Sequence, residues 1–411
     1  RINALSREAG MYVPRFYQAE YTDGGNLAGI FPAVDHVSSR VTRRTVKDLN
    51  QVFHNRTDLV PCMDTVHNRA AVEIMRGCTR GCRFCNAGML FRPVRKRSAE
   101  NVCSIARDII KNTGYEELAL CSLSTTDHSE SERIITDLKK DFDPAHISLS
   151  LSSLRADMFS IDLAQMVGQV RRTGLTFAPE AGSQRLRDVI NKGVTEEDLL
   201  DTVARIARQG WQKVKLYFMI GLPGERQEDI EAIVHLVKAV RREGRKYSSK
   251  GFRINLSVSP FCPKPHTPFQ WVGQESRELF KKKLQFLRKN LRIKGVKFNY
   301  SESDAAWLEA VIARGDSRVG RVIERAWLNG ARMDNWTECF DPLVWETAFT
   351  EEGIDPEFFS TRERLPDEVF PWHYIDAGVT RSWLWNEYQR ALSGVTTPDC
   401  RRGHCSQCGA C

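Results

Sequence analysis

AVEIMRGCTRGCRFC, Ala71 to Cys85, decides how this chain is read. AVEIM is a short apolar run of strand type. It delivers the chain straight into Cys78, Cys82 and Cys85, spaced C-x3-C-x2-C. A closed structural metal site normally takes four protein ligands, whereas a catalytic metal keeps one position open. Three thiols on one tight loop therefore point to a metal centre left open for a ligand. A three-cysteine zinc site, or thiols sharing nothing, are the plainer readings. A loop at the carboxyl end of a strand is also where open α/β folds bind their ligands.

Outward from this loop, strand and helix patterns alternate. ELALCSL, HISLSLSS, LTFAPE, VKLYFMIGLP and INLSVSPF read as further strands. SAENVCSIARDIIKNTG reads as a helix with Ser98 as its N-cap and Gly114 as its stop. SESERIITDLKKDF, SIDLAQMVGQVRRTG, SQRLRDVINK, TEEDLLDTVARIARQG, EDIEAIVHLVKAVRREG and ESRELFKKKLQFLRKNL read as helices as well. Six strands, each followed by a helix, imply an α/β fold with a parallel sheet under helices. Periodicity alone leaves open a partial (β/α)6 barrel or a doubly wound sheet, and both bind ligands at the strand ends.

Four stretches follow. Residues 1–70 hold a hairpin, YVPRFYQAEY and LAGIFPAV around TDGGN, and read as the end of an upstream domain; the chain begins at Arg1 and a natural N-terminus further upstream is expected. Residues 71–300 are the (β/α)6 core, 301–395 a helical region where tryptophans concentrate, and 396–411 a cysteine-rich tail. The 411 residues are 41% hydrophobic and 27% charged, ordinary for a soluble globular protein. No apolar run approaches the roughly 18 residues of a membrane helix, and no signal peptide is visible.

The net charge of +8 favours an anionic partner such as RNA, although solubility is the simpler account. Twelve cysteines without a secretory signal point to a reducing compartment, the cytoplasm. Cys62, Cys103, Cys121, Cys262 and Cys339 are scattered and read as buried, inert thiols. FRPVRKR, Phe91 to Arg97, reads as a phosphate contact or a solvated loop. Phe280, Leu284, Leu287 and Leu291 form a core stripe whose neighbouring lysines are its wet face.

The tail carries Cys400, Cys405, Cys408 and Cys411 in the spacing C-x4-C-x2-C-x2-C. Structural zinc prefers two knuckles separated by a longer loop, and C-x2-C-x2-C is the run that wraps one iron–sulfur cluster in ferredoxins. A second [4Fe–4S] cluster is therefore preferred to zinc. His404, inside the loop, reads as solvated.

C-x3-C-x2-C with Phe84 before the last cysteine, directly after a first strand, resembles the signature of the radical S-adenosylmethionine superfamily. The resemblance implies a [4Fe–4S] cluster on Cys78, Cys82 and Cys85, with S-adenosylmethionine on the open iron. It implies reductive cleavage to a 5′-deoxyadenosyl radical, hydrogen abstraction from a substrate, and an electron donor such as flavodoxin or ferredoxin. It also gives Phe84 a place at the cofactor. Ser124 and Thr125 of SLSTTD occupy the place of a Gly-Gly-Glu-like segment that binds the methionine amino group; the departure leaves a plain turn open. Glu180 of FAPEAGSQR takes the place of a polar contact to the ribose or methionine part. Ile220 of FMIGLPGE takes that of an apolar residue on adenine, with Gly221 allowing close approach.

VEIMRGCTRGCRFCNAGMLFRPVRKRS, GLTFAPEAGSQRLRDVINKGVTEEDL, KLYFMIGLPGE, PFCPKPHTPFQW and DCRRGHCSQCGAC together resemble bacterial radical S-adenosylmethionine proteins with a cobalamin-binding-like region upstream. No D-x-H-x-x-G segment occurs here, so this chain gives no support for bound cobalamin. FAPEAGSQR and KPHTPF are similar to stretches of tRNA methylthiotransferases, whose small β-barrel RNA-binding module differs from this helical, cysteine-capped C-terminus. The expectation is an enzyme acting on RNA or protein by a methylthiolation-like or methylation-like reaction, with no membrane partner. The alternative is a non-catalytic iron–sulfur protein that binds nucleic acid or transfers electrons.

Overall fold

Two parallel sheets carry most of the strands in a computed structural model that describes residues 1–63, 65–151, 175–248, 251–402 and 405–411. The first sheet sets Ala70–Glu73, Glu117–Cys121 and Ser148–Leu151 side by side, with Val72 opposite Leu120 and Leu120 opposite Leu151. The second runs Val296–Tyr300, Arg253–Pro260, Lys213–Ile220, Leu175–Glu180. The α/β fold with a parallel sheet and a helical C-terminal region stands. The helix expected in SIDLAQMVGQVRRTG lies outside the described residues.

Helix starts follow local chemistry. Ser98 Oγ accepts from Asn101 N at 3.3 Å and opens Ala99–Thr113, which stops at Gly114 with φ +70°. Thr195 and Asp198 form a reciprocal capping box that opens Glu196–Arg208. Along Lys213–Ile220 burial alternates: Val214, Leu216, Phe218 and Ile220 are buried, while Lys215, Tyr217 and Met219 are half-buried. The buried set shares one core with Val203 and Ile206 of Glu196–Arg208, Val234 and Val237 of Gln227–Lys246, and Leu284 and Leu287 of Arg277–Asn290. Each such side chain contributes about 1.5–3 kcal/mol of burial. The opposite face, with Asn255, Ser257 and Ser259 on the next strand, stays polar and half-buried. The strands are thus two-faced, not continuous apolar runs.

The hairpin appears as Tyr17–Tyr21 paired antiparallel with Leu27–Pro32. Two features were not legible. Val296–Tyr300 adds a strand after the six expected. Val41–Thr42 pairs in parallel with Ile375–Asp376, joining the N-terminal stretch to the C-terminal one. Among the C-terminal helices are Ser303–Arg314, Val319–Leu328, Pro342–Glu351 and Arg381–Leu392. An aromatic core of Phe261, Phe269, Trp271, Phe370, Trp372, Trp383 and Tyr388 joins the last of these to Met89, beyond the cysteine loop, and to Cys408 of the tail. Of the scattered cysteines Cys103 and Cys262 are buried and Cys121 is half-buried, but Cys62 and Cys339 are exposed and correct the expectation for them. Among the described residues no helix is long and apolar enough to cross a membrane.

Candidate active site

The cysteine loop leaves the first sheet through Gly77, which adopts φ +90°. A Cβ there would lie 2.4 Å from the Phe91 carbonyl oxygen, so only glycine makes this turn. Cys85 Sγ accepts from Gly88 N at 3.3 Å and caps the short helix Asn86–Leu90. Burial pushes the Cys78 thiol up to about 11, with the neighbouring Cys82 adding to the effect. Burial and Cys82 also raise Cys85, against the Gly88 amide and Lys192. Cys78 and Cys85 therefore both lie close to Cys82, and metal binding there would require their thiols to lose their protons. Among the described residues no three or more Cys, His, Asp or Glu side chains are drawn in to ligand distance.

Arg83, between the second and third cysteines, is fully buried. Its Nε donates to Glu387 Oε2 at 3.0 Å, Nη1 to the Val189 carbonyl at 2.9 Å and Nη2 to the Val395 carbonyl at 2.7 Å. The guanidinium thus pins the loop to the chain after strand Leu175–Glu180, to helix Arg381–Leu392 and to the start of the tail. Asn191, in left-handed backbone at φ +53°, does the same from the other side. Its Nδ2 donates to the carbonyls of Gly81 at 3.2 Å and Thr397 at 3.1 Å, and its Oδ1 accepts from Thr397 N at 2.9 Å.

A four-charge network closes the loop's open side. Arg80 grips Asp127 with Nε at 2.8 Å and Nη2 at 2.5 Å, and its Nε lies 3.3 Å from Asp399. Arg401 reaches Asp127 at 2.8 Å and Asp399 at 2.7 Å. Burial would raise the Asp127 carboxyl, but the hydrogen bonds and charges of Arg80, with Ser124 and Arg401, hold it below the ordinary range. Asp127 belongs to SLSTTD, and Asp399 and Arg401 flank Cys400, so the tail docks against the first cysteine loop.

Ser124 and Thr125 are both buried, and Thr125 Oγ1 lies 2.9 Å from Ser122 Oγ. Glu180 ends its strand at φ +69°, a strained conformation for a non-glycine residue. Its Oε1 meets Lys192 Nζ at 3.2 Å, and Lys192 lies over the Phe84 ring at 5.8 Å. Phe84, Cys85, Glu180 and Lys192 thus share one spot. Ile220 does not: it is fully buried in the core shared with the helices, and Met219 takes the opposite face. Its placement corrects the reading of Ile220 as the adenine contact. Gly221, at φ +78°, is needed because a Cβ there would lie 2.4 Å from the Phe280 ring.

Cys408 is buried, and its carbonyl accepts from Thr380 N at 2.9 Å. The Cys411 thiol is raised by burial and then by Cys408, Cys405 and Cys400, with Arg92 opposing, so the four tail thiols also form one group. The basic stretch FRPVRKR is corrected. Arg95 and Arg97 are buried and donate to backbone carbonyls, Arg95 to Phe91 at 2.9 Å and Arg97 to Glu73 at 3.1 Å. Arg92 is buried too, stacked over Trp383 at 4.9 Å, with Nε on the Gly88 carbonyl. Among the described residues its Nη1 has no hydrogen-bond partner, while its Nη2 lies 3.6 Å from where a Gly81 Cβ would stand. A buried cation left partly unpaired beside two sets of thiols fits anionic metal–thiolate groups. Sequence reasoning missed Arg83, Arg92, Asn191 and Lys192 because long-range partners, not motif positions, give them their roles.

Residues 72–237 match the profile described as the Radical SAM superfamily. Over 253 residues the chain is 35% identical to an uncharacterized protein of Methanocaldococcus jannaschii, covering 62% of this chain and 53% of that protein. It is 23% identical over 245 residues to a tRNA-2-methylthio-N(6)-dimethylallyladenosine synthase of Desulforamulus reducens, covering 56% of this chain and 50% of that one. The chain spans about half the length of these relatives. A solved cobalamin-dependent S-adenosylmethionine radical enzyme, OxsB, aligns at 12% identity and a TM-score of 0.38, over 83% of this chain and 51% of that one, too distant to add to the fold described above. Residues 72–237, which hold the cysteine loop and the strands and helices that follow it, are thus similar to the radical SAM superfamily.

Proposed function

We propose that this chain is the catalytic part of an enzyme that reductively cleaves S-adenosylmethionine and uses the 5′-deoxyadenosyl radical to abstract hydrogen from an RNA or protein substrate, for methylthiolation or methylation. The observation that carries this reading is the loop itself: Cys78, Cys82 and Cys85 directly after the first parallel strand, inside the matched segment. A [4Fe–4S] cluster bound there would supply the electron and an open iron for the cofactor's amino and carboxylate groups.

The chain's own residues position and enclose. Arg83 and Asn191 hold the loop, and the Arg80–Asp127–Asp399–Arg401 network covers it with the tail. Glu180 and Lys192 present a charge pair beside Phe84 for the polar part of the cofactor. Ser124 and Thr125 sit buried in the turn after the second strand, where the methionine part of the cofactor would be held. Cys400, Cys405, Cys408 and Cys411 hold a second [4Fe–4S] cluster, with Arg92 as a nearby positive charge. A small reductant such as flavodoxin or ferredoxin delivers the electron in the cytoplasm. The similarity to a tRNA-2-methylthio-N(6)-dimethylallyladenosine synthase supports RNA over a small molecule.

The test is electron paramagnetic resonance of the anaerobically reconstituted, reduced chain. Adding S-adenosylmethionine should change the signal of the centre on Cys78, Cys82 and Cys85. An unchanged signal would leave an iron–sulfur protein that only transfers electrons or binds nucleic acid.

A further inference from the structure

A cavity of about 640 Å³ lies between strand Leu27–Pro32 and the segment 369–384, and none of its lining residues belongs to the three- or four-stranded parallel sheet. That volume is within the roughly 300–1,000 Å³ of small-molecule sites. It is nevertheless close to both cysteine groups. On one side Asn86, which follows Cys85, donates to the Pro265 carbonyl at 2.7 Å, and the next residue, His266, lines the cavity. On the other, Thr380 lines it and donates its backbone N–H to the Cys408 carbonyl at 2.9 Å.

The walls select a ligand by elimination. Phe31, Trp372 and Tyr374 are lining aromatic rings, of which Phe31 is 47% exposed. The two lining arginines are committed. Arg40 pairs with Asp376 at 3.1 Å, and Arg381 donates to His373 Nδ1 at 2.9 Å and to the carbonyls of Pro366 at 2.8 Å and Glu368 at 2.6 Å. Arg40 already holds a carboxylate and the Arg381 donors already hold acceptors, so neither guanidinium is set aside for an anion. A purely aliphatic ligand would leave His266 unsatisfied: among the described residues its ring makes no hydrogen bond, and its backbone is held at φ +56°. Burial pushes that imidazole down to about 4, so at neutral pH it offers one donor and one acceptor and no charge. Such strained residues cluster where ligands are held. A neutral planar ring with polar edges answers every one of these groups, as unstacked bases do on aromatic side chains.

We propose that this cavity binds a neutral planar heterocycle of the nucleobase class, stacked on Phe31 and with His266 as its polar contact. The base can belong to a nucleic acid or to the adenosyl group of the cofactor. The proposal extends the functional reading above but does not depend on it, because binding is measured without turnover.

The test is equilibrium dialysis of the full chain, with and without reconstituted iron, against adenosine, guanosine, cytidine, uridine and 5′-deoxyadenosine. At least one should bind saturably. His266→Ala should weaken it about tenfold, the scale of one lost hydrogen bond with its ring contact. Phe31→Ala, at an exposed position that folding tolerates, should weaken it severalfold. Preference for a common nucleoside other than adenosine assigns the cavity to a nucleic acid base. Preference for 5′-deoxyadenosine assigns it to the cofactor. No saturable binding by any of the five, or affinity unchanged by both substitutions, overturns the proposal. A chain that binds none of them yet cleaves S-adenosylmethionine would keep its proposed function and lose this site.

Discussion

Replacing Arg83 with Met should strip the cysteine loop of its main anchor. Arg83 is 0% exposed and Glu387 3% exposed, so the pair lies in a dry interior. The substitution removes the 3.0 Å bond to Glu387 and the donors of the Val189 and Val395 carbonyls. It leaves Glu387 with the Thr397 hydroxyl at 2.6 Å and Arg390 at 3.6 Å. Removing one partner of a buried pair costs about 3–5 kcal/mol, a large part of a total stability of about 5–15 kcal/mol. Urea denaturation of the metal-free chain should show this as a lower midpoint with an unchanged slope. Because Glu387 would keep only the Thr397 hydroxyl and the more distant, partly exposed Arg390, Arg83→Met with Glu387→Met should be more stable than the sum of the two single effects by about 2–3 kcal/mol. Single effects that add within about 0.5 kcal/mol, or an Arg83→Met loss below about 1 kcal/mol, would refute the reasoning.

Glu180→Gln should weaken S-adenosylmethionine binding in dialysis while leaving the iron content intact; normal affinity with failed product formation would move Glu180 to the substrate side. Replacing Cys405, Cys408 and Cys411 with Ala should remove about four irons per chain, one [4Fe–4S] cluster, and an equal loss of zinc with iron unchanged would make the tail a structural knot. Burial alone would raise the Asp127 carboxyl, but Arg80, Ser124 and Arg401 together hold it below its ordinary value, so its stabilisation is complete above about pH 4 and is lost as pH falls through its lower folded-state value. Asp127→Asn should therefore make acid denaturation less steep below about pH 4, and superimposable curves would contradict the network. Gly182→Ala would place a Cβ 2.3 Å from the Ile233 backbone N, so it should destabilise the chain by about 1–3 kcal/mol in the same urea assay.

The alternation of strands and helices was legible because it is written locally. Ser98 and Gly114 bound their helix as their chemistry requires, and Phe280, Leu284 and Leu287 form the buried stripe that their spacing foretells. Val296–Tyr300 was hidden because VKFNY follows a run of lysines and arginines that belongs to the preceding helix. The three cysteines of the loop were legible as a set, since spacing alone brings them onto one turn. Ile220 was misjudged because neighbours in a strand face opposite sides: one residue separates the helix-facing core from the polar face. FRPVRKR was misjudged because a basic run gives no hint that its arginines turn inward to carbonyls. The docking of Asp399 and Arg401 onto Arg80 and Asp127 depends on residues more than 270 positions apart, a relation that no local pattern encodes.

The central claim is that Cys78, Cys82 and Cys85 hold a centre that cleaves S-adenosylmethionine. Its most direct test is chromatography with mass detection of the products when the anaerobically reconstituted, chemically reduced chain meets S-adenosylmethionine. The account predicts 5′-deoxyadenosine and methionine in equal amounts, and none from Cys78→Ala, Cys82→Ala or Cys85→Ala chains that keep the iron of the tail. A fully iron-loaded, reduced chain that forms no 5′-deoxyadenosine, or a Cys82→Ala chain that forms as much as the native one, would contradict it.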